Sequence, residues 1–216
     1  QTQHPFDSGR IYSTGGSGGG NVTQMVNKLA PRTFACIIDL CGMAKLSDDI
    51  AFGLEGGSRL NAGYSQDSKH PFYLSPDAQE LRDIGNPTHL QQMKDWGHQT
   101  QIFIVHGSTD AVCPVDDKRE VIRNMQAVGF KVKALIVKGE DLDGKIYAST
   151  GHGLGNRTLI VQSVADAQLQ PNTPKSATRQ GLSDFERKET LRYTTTHGHW
   201  EISYAKGYPV GEFKPN

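Results

Sequence analysis

The sequence lacks a long hydrophobic run and contains few cysteines. No apolar stretch approaches the ~20 consecutive residues that a membrane-spanning helix needs, so we expect a soluble chain without a membrane partner. Cys36, Cys41 and Cys113 are the only cysteines. They are too few for a disulfide scaffold and do not have the spacing of a zinc site. We expect neither a metal nor a cofactor.

The sequence also lacks net charge, because 23 lysines and arginines balance 23 aspartates and glutamates. Without an excess of basic residues to neutralise phosphates, nucleic acid is not an expected partner. Glycine is abundant, with 24 residues, which is typical of a chain with many turns. No signal-peptide pattern follows Gln1, so any such segment would lie upstream, and the sequence does not define the compartment.

The order of the predicted elements indicates an α/β fold with a parallel sheet and helices on both faces. Apolar, β-branched segments predict strands at 10–14, 34–40, 101–106 and 131–138. Helical periodicity predicts helices at 21–29, 88–96, 115–128 and 156–169, with two shorter helices at 47–52 and 76–84. We expect residues 1–170 to form the main domain, with a lid-like insert at 42–90. Residues 171–216 are predicted to form a linker and a C-terminal β-hairpin with its turn at His197–Gly198.

The segment GGSGGG, at residues 15–20, lies between the first predicted strand and the first predicted helix. In the nucleophile elbow, G-x-S-x-G, a serine occupies a sharp strand-to-helix turn, and Ser17 fits that position. Gly15 and Gly19 are expected to be glycines because a Cβ at either position would collide with neighbouring backbone. The Gly18 N–H would then be an oxyanion-hole donor. A flexible glycine-serine loop or a phosphate cradle is the alternative, although the sequence matches neither a P-loop nor a dinucleotide fingerprint.

Two further residues follow predicted strands in the same way. Asp110 comes four residues after the strand 101–106, in HGSTDAVCPV, where a carboxylate can orient an imidazole. His152 lies between glycines in STGHGLG, after the strand 131–138. Because the carboxyl ends of parallel strands meet at one edge of a sheet, Ser17, Asp110 and His152 are expected to lie together. Each residue alone would be interpreted as a turn, cap or surface residue, and the combination favours a catalytic triad.

Other residues near the predicted strand ends have competing interpretations. Asp39 could replace Asp110 as the partner of His152, although the D-x-x-x-P context favours Asp110. His106 is interpreted as structural. Cys41 and Cys113 follow neighbouring strands and could form a disulfide, but two buried free thiols are favoured.

Two groups of polar residues elsewhere suggest sites that we interpret as structural. Asn21 and Asn156 stand in glycosylation-like sequons at predicted helix starts and are expected to act as caps. A set of acidic and histidine side chains lacks metal-ligand spacing and is interpreted as solvated loop charge: Asp48, Asp49, Asp67, Asp77, His70 and His89.

The segments GGSGGG, HGSTDAVCP and STGHGLG resemble the α/β-hydrolase superfamily, on the side of the prolyl oligopeptidases and dienelactone hydrolases, and most closely a bacterial group without assigned activity. The resemblance covers about residues 9–170 and implies Ser17 as nucleophile, Asp110 as orienting acid and His152 as base. That superfamily places about four strands before the elbow. Here the first predicted strand begins at residue 10, so we expect the N-terminal strands and their oxyanion donor to be missing. A preceding segment or a second copy of the chain would then pair with the exposed edge.

These features predict a serine hydrolase that cleaves a carboxylic ester, or a small peptide or amide, through an acyl-enzyme. The insert would form a lid with apolar walls at Phe52, Leu54, Tyr64, Phe72 and Tyr73. Acyl transfer or carbon–carbon bond chemistry with the same three residues stays open. The alternative from another class is a hydrolase-like module that binds or scaffolds without catalysis, which the missing strands would favour. Even as an enzyme, the chain as given is expected to be inactive or much weaker without those strands.

Overall fold

The computed structural model describes residues 11–46, 62–65, 67–168, 188–205 and 208–216. A parallel sheet contains, in spatial order, β1 (Tyr12–Gly16), β2 (Cys36–Leu40), β3 (Gln101–Gly107) and β4 (Val132–Val137). An antiparallel sheet contains β5 (Leu191–Thr195), β6 (Gly198–Ala205) and β7 (Tyr208–Pro215). The helices are α1 (Gly18–Leu29), α2 (Pro76–Arg82), α3 (Pro87–Asp95), α4 (Val115–Val128) and α5 (Arg157–Gln168), with a short 3₁₀ turn at Gly139–Asp141.

Helices cover both faces of the parallel sheet because the strand side chains alternate between two cores. Ile37 and Ile102 lie in one core together with apolar residues of α1, α3 and α4. Ile38 and Phe103, one position further along, lie in the other core with Ile160 of α5. Burial on both faces explains why β2 and β3 are continuously apolar rather than alternating. The predicted α/β fold, a parallel sheet with helices on both faces, is confirmed.

The C-terminal region forms a three-stranded antiparallel sheet, in which β5 and β6 form the predicted hairpin and β7 is an additional strand. β7, with the sequence YPVGEFKP, was not predicted because proline and glycine interrupt its apolar alternation. Thr195 pairs with Gly198, which leaves Thr196 and His197 as the two-residue turn, one position before the predicted pair. Leu191, Tyr193 and Ile202 of this sheet share a core with α1, α3 and α4.

Two residues interpreted as solvated loop charge instead join the C-terminal sheet to the helices. Asp77 is buried, and its Oδ1 accepts hydrogen bonds from Thr195 Oγ1 at 2.7 Å and from the His197 N–H at 3.1 Å. The ring of His89 is also buried, with Nε2 2.6 Å from the Thr194 carbonyl oxygen. The interpretation of Asp77 and His89 as solvated loop charge is therefore wrong, because residues of the distant C-terminal sheet form hydrogen bonds with them.

Most differences from the predicted elements are at their ends. β1 lies two residues later than predicted, and α1 begins at Gly18 rather than at residue 21. Asn21 is therefore inside α1, where its Nδ2 donates to the Met43 carbonyl, and its predicted capping role is wrong. Asn156 does cap α5, because its Oδ1 accepts from the Leu159 N–H. The predicted helix 47–52 lies outside the described residues.

β1 forms one edge of the parallel sheet within the described part of the chain. The expectation that a further segment or a second copy pairs with this edge stays a prediction, as does the division into residues 1–170 and 171–216. Across the same described residues, no helix combines the length and the apolar character needed to cross a membrane.

Candidate active site

Ser17 lies at a sharp turn between β1 and α1. Its backbone is in the left-handed region, with φ 57° and ψ −124°. A non-glycine residue pays on the order of 1–3 kcal/mol for such a conformation and keeps it only where the surroundings enforce it. Here the Ser17 N–H donates to the Leu40 carbonyl at 2.9 Å, while its own carbonyl accepts from the Gly20 N–H. The turn is therefore anchored on both sides.

Close backbone packing explains part of the glycine-rich sequence around Ser17. A Cβ on Gly15 would lie 2.2 Å from the Gly19 carbonyl oxygen, and one on Gly20 would lie 2.7 Å from the Gly42 Cα. These contacts allow α1 to begin immediately after the strand. A Cβ on Gly19 would meet nothing within 4 Å, so the expectation of a collision there is wrong. Gly19 serves instead as the backbone against which Gly15 packs.

The three side chains selected from the sequence lie in one hydrogen-bonded chain. The Nε2 atom of His152 is 2.8 Å from Ser17 Oγ, and its Nδ1 atom is 2.9 Å from Asp110 Oδ2. Because a carboxylate only accepts, Nδ1 carries the proton and Nε2 is left as the acceptor for the serine hydroxyl. The Asp110 side chain is fully buried, and that of His152 is 21% exposed. Their catalytic roles stay a prediction.

The loop after β3 holds Asp110 through several donors. Its Oδ1 accepts the N–H groups of Val112 at 3.0 Å and Cys113 at 2.9 Å. The buried ring of His106 places Nε2 2.9 Å from the Cys113 carbonyl oxygen and 3.3 Å from Asp110 Oδ2. Burial lowers the pKa of His106, which keeps its ring neutral. These contacts fit the interpretation of His106 as a structural residue that supports the Asp110 loop.

The hydrogen-bond partners of Asp39 do not include His152. Its Oδ2 lies 2.8 Å from Lys118 Nζ and 3.1 Å from Gln24 Nε2, and its Oδ1 accepts the Gly42 N–H. The structure therefore joins Asp110, not Asp39, to the imidazole. Lys118 was not selected from the sequence. The sequence feature that could have identified Lys118 as buried is its position on α4, one helical turn before Val121 on the face that packs into the core.

Cys41 contributes a thiol to the same group. Its backbone is also left-handed, with φ 51°, and one ligand atom from each of Cys41, Asp110 and His152 lies within 4.8 Å of the others. Among the described residues this trio is the group that could hold a metal ion. Burial raises the pKa of Cys41, which opposes the thiolate that a metal requires. All three cysteines are buried and free, which confirms the preference for free thiols over a Cys41–Cys113 disulfide.

Two other predicted features of the site, the oxyanion donor and the apolar walls of the lid, have less direct support in the structure. Gly18 is the first residue of α1, where N–H groups have no intrahelical acceptor and space beside its Cα is open. Its oxyanion role stays a prediction.

Of the predicted lid walls, Phe52 and Leu54 lie outside the described residues. Tyr64, Phe72 and Tyr73 do not line the cavity that Gly15 and Gly16 border, so their proposed role as walls has no support there.

Comparison with solved structures finds similarity to peptidases. Two structures of Pyrococcus horikoshii acylaminoacyl peptidase, the orthorhombic form and the uncomplexed form, are 15% and 16% identical to this chain, with TM-scores of 0.48 and 0.49. The aligned regions cover 82% and 73% of this chain but 25% and 24% of those proteins. A Mycobacterium tuberculosis puromycin-hydrolyzing peptidase is 19% identical, with a TM-score of 0.42, 74% of this chain covered and 22% of that one. The chain thus spans about a quarter of the length of these proteins.

Comparison at the sequence level gives a family. No curated protein matches the chain. The family described as "Protein of unknown function (DUF2920)" matches residues 2–179, which is most of the sequence. The chain therefore belongs to the DUF2920 family.

Proposed function

We propose that this chain is a serine hydrolase that cleaves a carboxylic ester, or a small peptide or amide, through an acyl-enzyme on Ser17. The observation that carries the proposal is the continuous hydrogen-bonded chain from Ser17 Oγ through both ring nitrogens of His152 to Asp110. A nucleophile, a base and an orienting carboxylate in contact form the arrangement that activates a serine hydroxyl. The strained backbone of Ser17 adds support, because such strain is concentrated at functional sites.

The proton movements follow from the geometry. When Ser17 Oγ attacks a carbonyl carbon, its proton passes to His152 Nε2. The resulting imidazolium is stabilised by Asp110, which keeps accepting the Nδ1 proton. Nε2 then donates its proton to the leaving group as the acyl-enzyme forms. A water molecule, deprotonated by the same nitrogen, releases the acid product.

Negative charge develops on the carbonyl oxygen during attack, near the start of α1. Gly18, the residue after the nucleophile and the first residue of α1, is inferred to donate its N–H to this oxygen, and the helix N-terminus adds a favourable dipole. A donor of this kind contributes about 10²–10³ in rate in serine hydrolases. Gly18 is therefore proposed as one oxyanion-hole donor.

The test is covalent labelling of Ser17 with a fluorophosphonate probe, combined with hydrolysis of p-nitrophenyl acetate. Wild type is expected to be labelled and to hydrolyse the ester. Ser17→Ala is expected to lose the label and to reduce the rate to background, because loss of a nucleophile costs on the order of 10⁶ in kcat. The matched control is Ser13→Ala, on the same strand, where the hydroxyl contacts Thr23.

The control variant should retain both label and rate. Equal labelling and equal rates for wild type and Ser17→Ala would overturn the proposal. That result would instead favour the non-catalytic binding module.

A further inference from the structure

A cavity of about 320 Å³ is bordered by Gly15 and Gly16, the two residues that directly precede Ser17. Its walls are the end of β1 at residues 14–16, Leu40 at the end of β2, and the first turns of α5. The α5 residues that line it are Arg157, Thr158 and Val161. The wall is largely backbone and aliphatic carbon, so one charged group in it has a large effect on what the cavity binds.

Arg157 is that charged group, and it lies close to the nucleophile. A Cβ built on Gly16 would be 2.7 Å from an Nη atom of Arg157, so the guanidinium lies over the residue that directly precedes Ser17. Arg157 is also the first residue of α5, which follows the loop that carries His152. The helix N-terminus adds positive potential to the charge of the side chain.

No carboxylate neutralises this charge among the described residues that line the cavity. Among the described residues Arg157 forms no ion pair, whereas Arg119 pairs with Asp116 and Arg192 pairs with Glu201. A guanidinium presents a planar fork of donors that matches a carboxylate in a bidentate geometry. Because no described residue forms an ion pair with it, this fork suits a carboxylate brought by a ligand.

We propose that Arg157 binds a carboxylate of the substrate, so that the preferred substrates are esters or amides that carry a carboxylate on a short aliphatic arm. This inference rests on the proposed function, because it places the carboxylate beside a reacting carbonyl at Ser17. The aliphatic arm packs on Leu40 and Val161, and the carboxylate meets the guanidinium. Arg157 then selects among substrates and takes no part in the proton transfers.

The experiment compares matched esters that differ by one carboxylate. The first pair is mono-p-nitrophenyl adipate and p-nitrophenyl hexanoate, which test a carboxylate on the acyl side. The second pair is a nitrophenyl butyrate with and without a carboxylate on the ring, which tests the leaving-group side. Wild type, Arg157→Lys, Arg157→Gln and the control Arg119→Gln are compared in kcat/KM for each ester. Arg157 is exposed, so its replacement is not expected to unfold the chain.

The expected result is a loss of about tenfold in kcat/KM for a carboxylate ester in Arg157→Gln, mostly through KM, because hydrogen bonds between charged groups contribute on that scale. The neutral esters should be unaffected, Arg157→Lys should fall between, and Arg119→Gln should match wild type. An unchanged ratio of carboxylate to neutral ester in Arg157→Gln, for both pairs, would overturn the inference.

A readout that does not depend on turnover separates this inference from the proposed function. Calorimetric titration with adipate should show binding about tenfold weaker for Arg157→Gln than for wild type. If Ser17 is not labelled and no ester is cleaved, the proposed function fails, and Arg157-dependent adipate binding still supports the subsite. Equal adipate binding by the two proteins would overturn the subsite whatever the activity.

Discussion

Lys118 and Asp39 form an ion pair that is completely buried beneath the candidate active site. Lys118 Nζ lies 2.8 Å from Asp39 Oδ2, and neither side chain is exposed. The pair joins α4 to the end of β2, and both charges act on the neighbouring His106 and Cys113. It therefore lies behind the loop that holds Asp110, and it supports that loop through packing and charge balance.

Removing one member of this pair should cost far more stability than removing an exposed ion pair. Lys118→Met leaves the Asp39 carboxylate buried without its cation, and such changes destabilise proteins by about 3–5 kcal/mol. The control, Arg119→Met, removes the exposed partner of Asp116 and should change stability by less than ~1 kcal/mol. Urea unfolding followed by circular dichroism gives both values.

The double variant Lys118→Met/Asp39→Asn tests whether the unpaired Asp39 carboxylate causes the loss of stability in Lys118→Met. Removing the orphaned charge should recover part of the loss seen in Lys118→Met. A loss below ~1 kcal/mol for Lys118→Met alone, equal to that of the exposed control, would contradict the assignment of a buried pair.

The close approach of Gly15 to Gly19 predicts opposite outcomes for two similar substitutions. Gly15→Ala places a methyl 2.2 Å from the Gly19 carbonyl oxygen, so the elbow must shift at a cost of ~1–3 kcal/mol. Gly19→Ala adds a methyl in open space on a helix and should stabilise by ~0.5–1 kcal/mol. Urea unfolding of the two variants checks the sign. Destabilisation of similar size in both would show that the elbow is not packed as described.

The local sequence pattern was sufficient to predict helices and strands whose ends depend on residues within or next to the element. α4 was predicted at 115–128 and is observed there, because Val121, Ile122 and Met125 repeat at helical spacing. Gly129, with φ 90°, then ends the helix in the left-handed conformation. The start of α1 could not be predicted, because glycines disfavour a helix and the packing of Gly20 on Gly42 is a long-range contact.

The candidate site also contains residues that could be predicted from the sequence and residues that could not. Ser17, Asp110 and His152 could be grouped because each follows a parallel strand, and strand ends meet at one sheet edge. Lys118 and Arg157 could not be grouped with them, because a single lysine or arginine on a helix is usually solvated. Their positions follow from the way α4 and α5 pack on opposite faces of the sheet, which depends on long-range contacts.

The three cysteine thiols should be unreactive in the folded protein. All are buried, and burial raises the pKa of Cys36 and Cys113 to about 12, so little thiolate forms at neutral pH. Titration with an aromatic disulfide reagent at pH 8 should show no fast equivalent in buffer and three in denaturant. One fast equivalent in buffer would contradict the burial of one thiol, and Cys41→Ala would then identify whether it belongs to Cys41.

His89 should make stability fall in mild acid. Its fully buried ring has Nδ1 2.9 Å from Lys28 Nζ and Nε2 2.6 Å from the Thr194 carbonyl oxygen. Burial, together with the charge of Lys28, lowers the pKa of His89 to about 3 from an ordinary value of about 6.5. Below pH 6.5 the unfolded chain therefore binds a proton that the folded chain excludes until about pH 3, so acid favours unfolding throughout that range.

The loss attributable to His89 between pH 7 and pH 5 should be about 2 kcal/mol in free energy of unfolding, as the linkage relation requires for that pair of pKa values. Urea unfolding at both pH values should show this difference in wild type and a difference smaller by that amount in His89→Gln. Comparing each variant with itself removes any constant effect of the substitution on packing. The control is His70→Gln, whose ring is exposed and which should retain the wild-type difference. An equal pH dependence in wild type and His89→Gln would show that the buried ring takes up its proton without unfolding.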